Sequence, residues 1–364
     1  MAGAAEKPVN FDDLPGWRDD DHFAAFAAFR RSAAQALTKP YRDGSDGRTF
    51  ARFKPAFEQA VSTEIADSAQ ARAFFEKLFE PIRLKNSDGE QGVVTGFYEP
   101  IVDGARARSE KFPVPIYAVP DDLVEITEEN RPDGMDPYFR FARKTENGLA
   151  AYPDRSAIER GYLDGRGLEL LYVADKVEAF FIHVQGAARI RLPDGTLTGI
   201  TYAAKTGHPF TGPGRILVDR GDVPQSEISM QAIRKWLKDN PDKADALLWQ
   251  NRSFIFFRES PVDDQSLGPV AAAKVQLTPG RSMAVDRLHH VFGSAIYVAA
   301  THVNFGDGKP FQRLMVGQDT GSAILGQARG DLFTGSGFEA GEIAGRIKAG
   351  AEFWLLMPRQ SEKA

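Results

Sequence analysis

Apolar and polar positions follow two different periods along this chain, and the change falls near Gln91. Before it, apolar residues recur at helical spacing. Phe23, Phe26, Ala27 and Leu37 fall on or near one face, behind Asp19, Asp20 and Asp21 as N-cap candidates. Segments around Phe53, Phe57 and Val61, and from Ala69 to Phe79, repeat the pattern, and Pro81 closes the last of them. These segments read as packing elements. After Gln91 the runs shorten and alternate, with Gly and Pro between them, which predicts strands joined by loops. AFFIHVQ, RIRL, GITYA, NRSFIFFRES, AIYVAATHV, LMVG and SAIL all read as strands, and Pro193-Asp194-Gly195-Thr196 as a hairpin turn. MQAIRKWL, behind Ser226 and Ser229 as N-cap candidates, predicts a short amphipathic helix, and EAGEIAGRIKAG a second one before the closing strand EFWLLM. The charged run DRSAIERGYLDGRG reads as a short solvated helix ended by a Gly turn.

The pattern therefore predicts a mainly β, α+β chain with N-terminal helices. A length of 364 residues allows two domains or one elaborate one. A net charge of −5 and the lack of any dense Lys/Arg block argue against nucleic acid as a partner. The chain has no cysteine, which excludes a thiol nucleophile, disulfides and a Cys-based metal site and leaves the compartment open. MAGAAEKPVN lacks the charged and apolar regions of a signal peptide, so either the protein stays where it is made or this is a processed form with a new start methionine. The histidines are scattered, with no HExxH-like pair, and no phosphate loop, dinucleotide fingerprint or GxSxG is present. No metal and no cofactor is expected.

Carboxylates are the remaining chemical candidates. Asp319 and Asp331 sit twelve positions apart in FQRLMVGQDTGSAILGQARGDLFTGSG, each beside an apolar run, with Asp286 in the preceding RSMAVDR. An aspartate at a strand-to-turn junction is a turn-former or a placed acid. Asp319-Thr320-Gly321 matches the D-T-G core of aspartic peptidases, but that mechanism needs two such loops, and no second DTG or DSG occurs. Thr95-Gly96-Phe97-Tyr98-Glu99-Pro100 offers a hydroxyl, aromatics and a carboxylate beside a glycine, either as a turn or as a sugar-binding lip. Gln185 before Gly186 could bond a polar ligand or satisfy loop backbone.

VVTGFYEP, FPVPIY, AFFIHVQGAARIRLPDG, ITYAAKTGHPF, MQAIRKWL, NRSFIFF, LTPGRSMAVDR and RLMVGQDTGSAILGQARGDLFTGSG occur in this order. Together they resemble the membrane-bound lytic murein transglycosylase A family, whose C-terminal module is named for three aspartates, matched here by Asp286, Asp319 and Asp331. The resemblance covers about Gln91 to Pro358. Where the family commonly has QGSG this chain has Gln185-Gly186-Ala187-Ala188, and where an AGKNGH-like string is usual it has Ala203-Ala204-Lys205-Thr206-Gly207-His208. The cysteine that anchors many members as lipoproteins has no counterpart.

The resemblance implies a double-psi β-barrel domain carrying the N-terminal helices (1–100 and 250–364), a smaller inserted β-domain (101–249), and a groove between them for a peptidoglycan glycan strand. It implies cleavage of the β-1,4 bond between N-acetylmuramic acid and N-acetylglucosamine, with formation of a 1,6-anhydromuramic end. Asp331 would act as acid and then base, with Asp319 orienting or tuning it. Thr95, Tyr98, Gln185, Gly186, Lys205 and Asp286 are the substrate-contact candidates. A periplasmic location follows from that substrate, with outer-membrane association through a segment absent here, and an open groove suits a monomer. A non-catalytic carbohydrate-binding or wall-loosening module is the competing reading.

Overall fold

The computed structural model describes residues 7–86, 91–136 and 139–359; the leading MAGAAE lies outside them. The chain divides into two compact units, Met1–Tyr98 with Asp264–Ala364, and Glu99–Asp263.

The first unit begins with three helices, α1 (His22–Thr38), α2 (Phe50–Ser62) and α3 (Ser68–Leu78). Each starts where a side-chain oxygen accepts a first-turn N–H: Asp21 from Ala24, Thr49 from Arg52 and Asp67 from Gln70. Their inner faces interlock through phenylalanines. Phe29 lies edge-on to Phe74, Phe75 and Phe79 with ring centroids 5.6–6.3 Å apart, which adds directional attraction to the burial of large apolar area. Strands β1 (Phe79–Leu84) and β2 (Gly92–Glu99) follow.

The second unit holds β3 (Ile101–Ala105), β4 (Val114–Tyr117), β5 (Leu123–Glu125), β6 (Phe141–Thr145) and β7 (Gly148–Ala150). Then come α4 (Arg155–Ala157), β8 (Glu169–Val173), α5 (Lys176–Gln185), β9 (Ala187–Arg191) and β10 (Leu197–Lys205). Helices α6 (Pro213–Asp219), α7 (Met230–Asp239) and α8 (Pro241–Leu248), with strand β11 (Ile255–Ser260), complete it. Six strands form one sheet in the order β11-β10-β9-β3-β8-β4, and β5-β6-β7 form a smaller one. The β9–β10 hairpin turns at Pro193–Thr196, with Gly195 at φ +87°, as its Asp-Gly turn requires.

Two expectations fail in this unit. AFFIHVQ is not a strand but most of α5, capped by Asp175 at its start and by left-handed Gly186 at its end. Phe180, Phe181, Ile182 and His183 are all buried, so the helix has apolar neighbours nearly all round and its sequence shows no helical stripe to tell it from a strand. DRSAIERG is not a solvated face. The Arg155 side chain is buried, donating to the carbonyls of Asn251 and Ser253 and to Glu159, with Phe180 and Phe254 against its guanidinium. A buried cation survives only with such a full set of partners.

The chain then returns to the first unit with β12 (Ser282–Val285), β13 (Ala295–Asn304), β14 (Pro310–Asp319), β15 (Arg329–Ser336), α9 (Phe338–Ala344) and β16 (Lys348–Pro358). The sheet runs β1-β16-β13-β14-β12-β15-β2, and β16 also pairs with β2. That second pairing closes six of the strands into a ring, with β1 attached outside along β16. Closure removes the open edges that a flat sheet would expose. SAIL, expected as a strand, forms a turn instead, with Ile324 N–H bonded back to the Gly321 carbonyl.

Candidate active site

The site is built around β12, the shortest strand of the ring. Side chains alternate across a strand, so Met283 and Val285 enter the core while Ala284 points to the other face. Ala284 is paired on both sides. Across one edge its register partner is Asp319, in a parallel pairing, and across the other it is Asp331, in an antiparallel pairing. Directly opposed residues share a face, so the two carboxylates emerge on either side of one methyl group. Two inter-strand spacings put their backbones about 10 Å apart.

Asp319 reaches that position through a register shift. Met283 pairs with Gly317 and Ala284 with Asp319, so Gln318 is the extra residue. Its amide turns inward, donating to the Ala28 carbonyl at 2.9 Å and to Ser32 Oγ at 2.8 Å on α1, and accepting from Ser282 Oγ. Asp319 itself accepts from the Ala272 N–H at 3.2 Å and from the Thr320 N–H. Desolvation pushes its pKa up to about 6. The two amides and Lys274 oppose the shift, and the negative charge of Asp331 adds to it.

Asp331 is half-buried near the start of β15. Thr95 Oγ1, on β2, donates to Asp331 Oδ1, and Arg329 Nη2 donates to the same Thr95 oxygen at 2.7 Å. Burial raises the Asp331 pKa, against the Thr95 bond and the Arg329 charge. Burial is thus the first cause of the upward shift at both carboxylates.

The other candidates lie elsewhere. Asp286 is buried just past β12, with Oδ1 accepting from Leu288 N–H at 2.9 Å and Oδ2 from Gly326 N–H at 2.7 Å. It ties the end of β12 to the segment between Asp319 and Asp331. Tyr98 packs its ring over Gly341, where an added Cβ would lie 2.8 Å from the ring. In the second unit, Gln185 is the last residue of α5 and Gly186 its left-handed cap. The Gly186 carbonyl accepts from Tyr202 N–H at 2.7 Å, which sets this helix end beside β10. Lys205 ends that strand, its ammonium pKa lowered by desolvation and by Arg140. The structure thus brings Asp319, Asp331 and Thr95 together, while Asp286 binds the backbone of Leu288 and Gly326.

Sequence reasoning missed Arg329. The signal was available: residues two apart on a strand share a face, so a cation at 329 falls beside an acid at 331. Among the described residues, no group of three or more His, Asp or Glu side chains could hold a metal ion.

The closed ring sets two carboxylates on either side of one strand, and paired carboxylates are the groups that glycosidic bond cleavage commonly uses. Comparison with known proteins is more specific. Residues 93–258 match the MltA specific insert domain and residues 281–357 match the 3D domain. The crystal structure of a membrane-bound lytic murein transglycosylase from Agrobacterium tumefaciens is 48% identical, superposes with a TM-score of 0.92, and covers 97% of each chain. MltA from Neisseria gonorrhoeae is 33% identical with a TM-score of 0.78, over 98% of this chain and 93% of that one. Membrane-bound lytic murein transglycosylase A of Escherichia coli K12 is 32% identical over 72% of this chain, and the matched segment spans 64% of that relative's length. The chain belongs to the membrane-bound lytic murein transglycosylase A family.

Proposed function

We propose that this protein is a lytic transglycosylase of peptidoglycan, which cuts the β-1,4 bond between N-acetylmuramic acid and N-acetylglucosamine and leaves a 1,6-anhydromuramic end. The observation that carries the reading, beside family membership, is the unequal pair of carboxylates on either side of Ala284. Asp319 accepts from two fixed backbone amides, which favour its anion. Asp331 has one oxygen engaged by Thr95. Its Oδ2 is the position for an acidic proton, and burial favours keeping that proton.

The reaction follows from that inequality. Asp331 donates its proton to O4 of the departing N-acetylglucosamine as the bond to C1 of the muramic residue breaks. Positive charge builds on C1 and the ring oxygen and is stabilised by the Asp319 carboxylate. The C6 hydroxyl of the same muramic residue attacks C1, and the Asp331 carboxylate takes the C6 proton, which restores the starting state. One group serves as acid and then base because the nucleophile belongs to the substrate, where a hydrolase would need a second carboxylate to activate water. The double-psi arrangement of the barrel, a groove for the glycan strand, a periplasmic location and an association with the outer membrane belong to the same reading.

The test is mass spectrometry of muropeptides released from purified sacculi by wild type and by Asp331→Asn. Products one water lighter than hydrolytic ones, present with wild type and missing with the variant, are expected. Hydrated products would make the protein a hydrolase, and absence of any release with retained binding would make it a wall-binding module.

A further inference from the structure

We propose that Arg329 is a positioning residue that acts on Asp331 through Thr95: it fixes the Thr95 hydroxyl as a donor to one carboxylate oxygen and so reserves the other oxygen for the proton that is transferred. The inference rests on the proposed function for its catalytic meaning but not for its physical test.

The geometry is a relay of three groups. A guanidinium has five N–H donors and no acceptor, so the Arg329–Thr95 bond at 2.7 Å must run from nitrogen to oxygen. A threonine oxygen that accepts there has its own hydrogen left to give, and Asp331 Oδ1 is the acceptor within reach. Arg329 is held in place by a second bond, from Nη1 to the carbonyl of Gly330 next to it. A lysine, with a single ammonium centre, lacks the planar fork that suits these two acceptors. Arg329 and Asp331 share a face of β15 by the two-residue period of the strand, while Thr95 comes from β2, so the relay also couples two strands of the ring. The other charges to be counted are Asp319 on β14 across Ala284, Lys274 beside Asp319, and Lys348 on β16, whose register partner is Thr95.

The direction of the effect is fixed by these contacts. Arg329 and the Thr95 hydroxyl both favour the Asp331 anion, against burial. They keep its proton loose enough to leave and aim what remains.

The test is a carbon-13 NMR titration of the side-chain carboxyls, with the Asp331 signal assigned by its loss in Asp331→Asn, together with the pH profile of anhydromuropeptide release. Arg329→Gln and Thr95→Val should each raise the apparent Asp331 pKa by about one unit. The alkaline limb of the activity profile should move up by the same amount. Thr95→Ser, which keeps the hydroxyl, should titrate like wild type, and Arg329→Lys should fall between. The Arg329→Gln/Thr95→Val double variant should shift by clearly less than the two single shifts added. An unmoved Asp331 titration in Arg329→Gln, or additive shifts, would overturn the relay. So would a raised KM with the titration unchanged, since Arg329 would then be binding a substrate carboxylate directly. Because the titration needs no turnover, a wild type that releases hydrated products would defeat the proposed reaction and leave the relay judged on its own signal.

Discussion

Three aspartates lie within a few residues of β12, and they are held in opposite ways. Asp286, at the end of the strand, has both oxygens spent on backbone amides, Leu288 on one side and Gly326 on the other. Asp331, paired across the strand from Ala284, has one oxygen bound by a hydroxyl and the other open. Asp319 stands between these extremes, bound by two amides yet desolvated and raised to about 6. A carboxylate whose oxygens are both taken by fixed N–H groups is an anchor for the loop that supplies them. A carboxylate with a free oxygen in a desolvated place can carry a proton to something else. Counting the donors around each acid separates the two roles more sharply than its position in a motif.

The comparison can be broken at four points. The largest effect expected is at Asp331. Asp331→Asn should cut anhydromuropeptide release by on the order of a thousandfold while leaving the urea unfolding midpoint close to wild type. A comparable loss of folding would make Asp331 an anchor too. Asp286→Ala should do the reverse. It strands two amides in a tight loop and should lower unfolding free energy by about 3 kcal/mol, with residual activity tracking the folded fraction. A stable but inactive Asp286→Ala protein would move that residue into the chemistry.

Asp319→Asn sharpens the middle case through pH. The folded pKa of Asp319, about 6, lies above the 3.8 of an unperturbed aspartate, so the folded state holds this proton more tightly than the unfolded chain. Its contribution is fully present below about pH 4 and is lost as pH rises through 6, leaving a penalty of roughly 3 kcal/mol at pH 8. Asp319→Asn should therefore be more stable than wild type at pH 8 and lose that advantage at pH 4. Parallel stability curves would show that burial at Asp319 has been overstated. The smallest effect concerns the spacer. Ala284→Leu places bulk between the carboxylates and should lower release about tenfold with the barrel intact, whereas Ala284→Ser should change little.

Much of this was legible in the chain, for local reasons. The capped N-terminal helices, the Asp-Gly hairpin at 193–196 and the amphipathic helix at 230–239 are fixed by neighbours in sequence, and local chemistry gives them away. Asp319, Asp331 and Thr95 could be named, but the sequence had no means of showing that one alanine sits between the two acids. That needed the register shift at Gln318, which depends on α1, nearly three hundred residues away. AFFIHVQ misled because a helix buried on nearly every side carries no period. Arg155 misled because the partners that let its charge be buried, the carbonyls of Asn251 and Ser253, lie far along the chain. Arg329 was legible too, since the two-residue period of a strand puts it on the same face as Asp331.

The strand that closes the ring is also the last of its strands to be made. β16 joins β13 to β2, and along its length it meets β1 from the other end of the chain, Phe79 opposite Pro358. The second unit, contained within Glu99–Asp263, completes the pairings of its own sheets without any strand from outside it. The ring needs β16, and without it the strand bearing Thr95 lacks one of its two neighbours. The residues of the proposed cutting face are therefore set in place only when the last strand of the chain closes the ring.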